Sequence, residues 1–287
     1  MRRMRSVETL GTASVILTDK TGTLTEGNMA VEEVGWIRHE KQSPEHQLHT
    51  LLIAAMTSSA FVENPQEEMS AWKIRGSATE TALLLAAARA GISRAAMLAT
   101  YPQLDFFAFH PQFRLSASLH NDPDKEKNLL FVTGAPETIV AYARAMQKDG
   151  HEQPLDEKAL GEIRETIESA AARGLRLIAC AQKMITARAF PKIIEQIFFD
   201  DLTIVGMIAF HDPLRADVAE AFADVAHAGV HVVMVTGDHG GTARFLAQKL
   251  GMESGERNFM EGNELDNLDE HMLANRLKLI TVFARVL

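Results

Sequence analysis

The sequence predicts an α/β chain: a doubly wound parallel sheet into which a second, α+β domain built on an antiparallel sheet is inserted. Three observations carry this. The first element, "ASVILTD", is a short β-branched run that reads as a buried strand ending at Asp19. Beyond Leu202, strands and helices alternate in the lengths of a parallel sheet. Between them, from Met29 to about Asp200, the strand patterns read as antiparallel. The Asp19 strand needs parallel neighbours, and the natural ones lie beyond Leu202. Residues 1–30 and 201–287 are therefore expected to form one domain and residues 31–200 an insertion.

Taken in order, "PEHQLHTLLIAAMTSSAF" has helical periodicity after a proline start, and "SATETALLLAAARAG" reads as a core-packing helix stopped at Gly91. "LDFFAFHPQFRLSASLH" and "NLLFVTGAPE" read as strands of one antiparallel sheet, parted by the polar turn "NDPDKEKN". "DEKALGEIRETIESAAARG" is a helix closed by Gly174, followed by the strand "LRLIACAQ". The parallel pattern restarts with "LTIVGMIAF". Asp212 and Pro213 then suit the cap and first position of a helix whose apolar face is Leu214, Val218, Ala221, Phe222, Val225 and Ala226. "VHVVMVTGD" is apolar throughout, as a strand covered on both faces is; "GGTARFLAQKLG" is a helix and "LITVFARV" a last strand.

Composition narrows the function. The formal charge of −9, from 29 basic and 38 acidic residues, argues against a nucleic-acid surface, which needs a basic field. The single cysteine, Cys180, excludes a disulfide framework and reads as a core strand residue. No apolar run reaches the ~18 residues of a membrane span, no secretory signal pattern is read, and the chain is expected to be soluble and cytosolic in character. His39, His46 and His49 lack a carboxylate or cysteine to complete a metal set and read as a solvated helix start. The stretch "GISRA" fails the nucleophile-elbow pattern, and the absence of a Gly-Lys dipeptide excludes a Walker-type site.

The chemistry concentrates in "LTDKTGTLTEG". In an open parallel sheet, ligands sit outside the carboxyl ends of the strands, where both Asp19 and Asp238 (in "MVTGD") fall. A carboxylate there can attack phosphorus and form an aspartyl-phosphate. Thr21 and Thr23 offer hydroxyls and the Gly22 turn offers N–H groups for phosphate oxygens, with Thr236 and Gly237 as a second set. A pair of carboxylates at one crevice also suits Mg²⁺.

"DKTGTLT" resembles the phosphorylation signature of the P-type ATPases, ion pumps whose phosphorylation domain is haloacid dehalogenase-like. "GSATETALL", "FHPQFRLS", "GAPE", "GLRLIACA", "DPLR", "TGDHGGTA" and "VFARV" match in order along essentially the whole chain, and the lead-in "VETLG" with "TGDH" is most similar to the calcium and sodium/potassium branch. The resemblance implies that Asp19 is the phosphorylated nucleophile, that Lys20 and Thr21 line the phosphate site, and that Asp19 and the Thr21 carbonyl hold Mg²⁺. It places Thr236, Gly237 and Asp238 beside the transferred phosphoryl, and Asp212 and Arg215 at the nucleotide end of that site. In the inserted nucleotide-binding domain it puts Phe109 on the adenine, with Glu80, Arg114, Gly134 and Arg176 around the nucleotide. ATP and Mg²⁺ are the implied cofactors, and a transported cation and a membrane the partners of a full-length pump.

Two departures stand out. Thr133 occupies the position of a lysine usual before "GAPE", and the family pattern continues past Leu287 into "GDGVND". The chain is therefore expected to be a pump fragment at the cytoplasmic face of a membrane, with a complete nucleotide-binding domain and an incomplete phosphorylation domain. An exposed Asp19 strand edge, with reduced stability or self-association, is expected with it. Two alternatives remain: a soluble phosphatase or phosphotransferase using Asp19, and a nucleotide-binding module without turnover. Thr21, where such phosphatases carry a second aspartate as general acid, disfavours rapid hydrolysis.

Overall fold

The Asp19 strand forms where expected, but none of its residues is buried, in a computed structural model that describes residues 12–36, 43–122, 127–148, 150–186, 199–238, 240–265, 268 and 270–286. The "VETLG" lead-in, His39 and part of the "NDPDKEKN" turn lie outside the described residues. Strand β1, Val15–Asp19, runs into a wide turn over Lys20–Leu24, closed where the Thr25 N–H donates to the Lys20 carbonyl at 3.2 Å. Gly22 sits there at φ 75°, a conformation that side-chain-bearing residues rarely adopt.

Strand β2 (Ala30–Gly35) precedes helix α1 (Pro44–Met56), whose Ser43 cap accepts from the His46 N–H. β3 (Phe61–Val62) and β4 (Ile74–Arg75) pair as a small antiparallel arm. Helix α2 (Ala78–Arg89) starts on a capping box in which Ser77 and Glu80 satisfy each other's backbone donors. After α3 (Arg94–Thr100) come β5 (Gln103–His110), β6 (Leu115–Asp122) and β7 (Lys127–Gly134). The chain continues through α4 (Pro136–Tyr142), β8 (Ala143–Lys148), β9 (His151–Pro154), α5 (Glu157–Ala172), β10 (Arg176–Thr186) and β11 (Leu202–His211). It ends with α6 (Val218–His227), β12 (His231–Val235), α7 (Gly240–Lys249), β13 (Phe259–Glu261), α8 (Gly262–Leu265), α9 (Glu270–Leu277) and β14 (Val282–Ala284).

Two compact units result: Met1–Asn28, Ala171–Leu175 and Asp212–Leu287 form the first, and Met29–Ala170 with Arg176–His211 the second. The first is a parallel sheet in the order β1-β12-β14-β13, its core built on Leu24, Met234, Ala243, Leu246 and Val282. β12 is flanked on both sides, as its continuous apolar run requires, while β1 is an edge with Val15 51% and Leu17 71% exposed. The second unit is built on a mixed sheet in the order β5-β6-β7-β10-β11, and the far edge of β11 is shared by β2 and by β8, which leads on to β9. α1 and α2 contribute Leu51, Ile53, Met56 and Leu83 to its core, against Phe131, Ile208 and Phe210.

Four expectations need correction. "LTIVGMIAF" does not restart the parallel sheet: β11 pairs antiparallel with β10 and β2 and belongs to the second unit. It is apolar throughout because both its faces are buried, which a parallel strand and the centre of this mixed sheet have in common. "LDFFAFHPQFRLSASLH" is two strands, folded back through a turn in which the Arg114 N–H reaches the His110 carbonyl at 2.7 Å. Asp212 does not cap a helix; α6 begins at Val218 behind Asp217. On α6, Val218 is buried, but Ala221 and Ala226 are exposed.

Candidate functional site

In the first unit, the register of β1 against β12 pairs Asp19 with Val235, so both strands end side by side and release "DKTGT" and "TGD" at the same edge. Asp19 is exposed, and its Oδ1 accepts the Lys20 N–H at 2.7 Å. Oδ2 carries no hydrogen bond among the described residues. The Lys20 ammonium, 12% exposed, forms an ion pair with Asp238. The Asp238 N–H in turn donates to the Thr236 hydroxyl at 3.1 Å. Lys20 thus links the two carboxylates, its backbone on one and its side chain on the other. Thr21 and Thr23 stand on the exposed turn with their hydroxyls available.

The turn is held from beneath. Asp212 accepts the Thr25 hydroxyl at 2.6 Å on one oxygen and the Gly27 N–H at 3.0 Å on the other. Arg215 donates from Nε to the Thr25 carbonyl at 3.1 Å and from Nη2 to the Gly22 carbonyl at 2.8 Å. Thr25, buried at 1% exposure, also meets the Gly22 N–H at 3.2 Å and was not singled out from sequence. The only signal for it was its place in the threonine-rich motif. Asp212 and Arg215, expected at the nucleotide end, direct these bonds at the loop.

In the second unit, the registers His110↔Leu115, Leu115↔Gly134 and Gly134↔Ala179 bring Phe109, Arg114, Gly134 and Arg176 to one end of four neighbouring strands. Phe109 lies at an irregularity of β5 and is 56% exposed. Arg114 adopts φ 54°, and its guanidinium lies 3.6 Å from the Glu137 carboxylate, both exposed. Gly134 is required: a Cβ there would lie 2.7 Å from the Arg114 carbonyl oxygen. Glu80 does not present a free carboxylate. Burial opposes its charge, yet four donors, the N–H and hydroxyl of Ser59 and of Ser77, hold it below the ordinary glutamate value. Thr133 is buried, its hydroxyl 2.9 Å from that of Thr57 and 2.8 Å from that of Ser116. Neither partner was legible in sequence.

Residues 47–217 match the family model described as P-type ATPase, cytoplasmic domain N. The chain belongs to the P-type ATPases. The whole of it aligns with Calcium-transporting ATPase lmo0841 of Listeria monocytogenes at 29% identity, covering 32% of that protein. It is 29% identical to a calcium-transporting ATPase of Bacillus subtilis and 30% identical to the cation-transporting ATPase pma1 of Synechocystis, covering all of this chain and 34% of each. The chain thus spans about a third of the length of the curated relatives it matches.

Other features of this P-type ATPase chain are structural. Burial pushes the Cys180 thiol up, so it stays an unreactive core group. Among the described residues no group of three or more His, Cys, Asp or Glu could hold a metal. His49 is half-buried rather than fully solvated: burial lowers its pKa, partly offset by a hydrogen bond with Gln182. No single helix among the described residues is long and apolar enough to cross a membrane.

Proposed function

We propose that the first unit is the phosphorylation domain and the second the nucleotide-binding domain of an ATP-driven cation pump, and that Asp19 accepts the terminal phosphoryl group of ATP. The observation that carries this is the joint in the first unit: an exposed Asp19 with one oxygen fixed by the Lys20 N–H, and Lys20 paired to Asp238. In the reaction, Asp19 Oδ2 attacks the γ-phosphorus while the bond from that phosphorus to the β–γ bridging oxygen breaks. The electron pair leaves on ADP, and an acyl phosphate remains on Asp19. The Lys20 ammonium, Thr21 and Thr236 hydroxyls and turn N–H groups face the negative charge of the transferring group, which is positioning and electrostatic catalysis rather than acid–base catalysis.

Two oxygen donors of this chain, the Asp19 carboxylate and the Thr21 carbonyl, suit Mg²⁺, which keeps several waters and is usually bound through few protein groups plus phosphate oxygens. When bound, the ion supplies charge neutralisation at the transferred phosphoryl. Thr21 gives no carboxylic acid for attack of water on the acyl phosphate, which favours a long-lived phosphoenzyme over a phosphatase. Phe109 as a base-stacking platform and Arg114 and Arg176 as phosphate partners form the nucleotide-binding end, with Gly134 letting the strands close. Transport of a cation, calcium by branch resemblance, and attachment to a membrane belong to the complete pump.

The test is incubation of the complete pump with γ-labelled ATP and Mg²⁺. Acid-stable, hydroxylamine-labile label is expected at Asp19 and lost in Asp19→Asn. A folded complete pump that binds ATP and takes no label at Asp19 overturns the proposal.

A further inference from the structure

The second unit contains an apolar cavity of about 560 Å³ that lies apart from the strand ends carrying Phe109 and Arg114. The β3–β4 arm supplies Phe61 and Trp72, α2 supplies Leu84 and Ala88, and α3 supplies Leu98. In this apolar lining stands one cation, Arg94. Its Nη1 donates to the Ala60 carbonyl at 3.0 Å, but its Nε is buried and has no hydrogen-bond partner. A buried guanidinium donor without a partner costs stability, and a native protein rarely carries one without a reason.

No carboxylate among the described residues pairs with it. Glu80 is the acidic group whose charge reaches Arg94, and all four bonds to its oxygens come from Ser59 and Ser77. Burial lowers the Arg94 pKa and the field of Glu80 only partly offsets it, so the cation is under-compensated where it stands. The cavity falls within the range that holds small ligands, and such sites combine an apolar wall with one or two orienting polar groups.

We propose that this cavity is a binding site for a monocarboxylate with an apolar tail, the carboxylate pairing with the Arg94 guanidinium and the tail lying among Trp72, Leu84, Ala88 and Leu98. The charge chooses the head group and the lining chooses the tail. A neutral apolar molecule leaves the Arg94 charge uncompensated, and a cationic one meets like charge. This site is independent of phosphoryl transfer and uses neither Asp19 nor the Phe109 end.

Dodecanoate below its micellar concentration is the probe, with dodecanol and dodecyltrimethylammonium as comparisons. Binding is followed by equilibrium dialysis and by the fluorescence of Trp72, which lines the cavity. One equivalent of dodecanoate is expected to bind, and to do so more tightly than either comparison. Ala88→Phe, which fills the cavity, is expected to abolish it. Arg94→Gln is expected to weaken dodecanoate about tenfold, as loss of a charge-assisted bond does, and to leave dodecanol unchanged. The proposal is overturned if dodecanoate does not bind saturably, if it binds no better than dodecanol, or if Arg94→Gln leaves its affinity unchanged. Circular dichroism of each variant establishes that it folds. Should Ala88→Phe fail to fold, the head-group preference and Arg94→Gln still decide.

Discussion

Around Asp19 the hydrogen bonds converge on one loop: both Asp212 oxygens and two guanidinium nitrogens of Arg215 are directed at a stretch of six residues, Gly22 to Gly27, three of the four at backbone atoms and one at the Thr25 hydroxyl. At the Phe109 end of the other unit the side chains stand in solvent, and the ion pair there, Arg114 with Glu137, is long and exposed. On the proposed assignment this fits the two tasks: a group that forms and breaks a covalent bond needs a fixed backbone, whereas a surface that holds a nucleotide and lets it go gains from side chains that reorient. The contrast separates preorganised chemistry from adaptable binding.

The largest expected effect is on the preorganised side. Asp212→Ala removes two charge-assisted bonds and leaves the buried Thr25 hydroxyl without that partner, which should cost about 2–4 kcal/mol. Thermal unfolding reads the cost, and labelling of Asp19 should fall with it. An unchanged melting temperature breaks the comparison. On the adaptable side, Phe109→Ala should leave the melting temperature within about 1 °C while weakening ATP roughly tenfold, the usual value of one base–aromatic stack. Equilibrium dialysis with ATP measures it. A large stability loss would show that Phe109 is a packing residue instead.

Thr133 tests where the boundary between the two behaviours lies. Thr133→Val breaks the Thr57–Thr133–Ser116 hydroxyl chain and should destabilise the second unit by about 1–2 kcal/mol without changing ATP affinity. The smallest effect is electrostatic. His49 and His120 are both held below the ordinary 6.5 by burial, so the unfolded chain binds more protons as pH drops through that value. Stability should therefore fall with decreasing pH below about 6.5, and His120→Gln should flatten that slope in denaturant titrations.

Asp19, Lys20 and the β1 strand were legible because their signal is local: an apolar run stopped by a dense motif. Asp238 was legible because a strand end is. β9, His151–Pro154, was not, since "HEQP" is exposed at every position and has no apolar period to read. β11 misled because a continuous apolar run reports burial on both faces and nothing about the direction of its neighbours. Asp212 beside Pro213 looked like a helix start. The carboxylate is claimed instead by a hydroxyl and an N–H some 185 residues away in sequence, a contact no local pattern announces.

The β1 strand has a hydrogen-bonded neighbour along one flank, β12, and presents Leu17 to water. A segment that zipped onto its open rail, a second molecule included, would cover that oily surface and stiffen the peptide planes from which the Asp19 carboxylate hangs. On the proposed role of Asp19, such a contact would tie the reactivity of position 19 to how crowded the solution is.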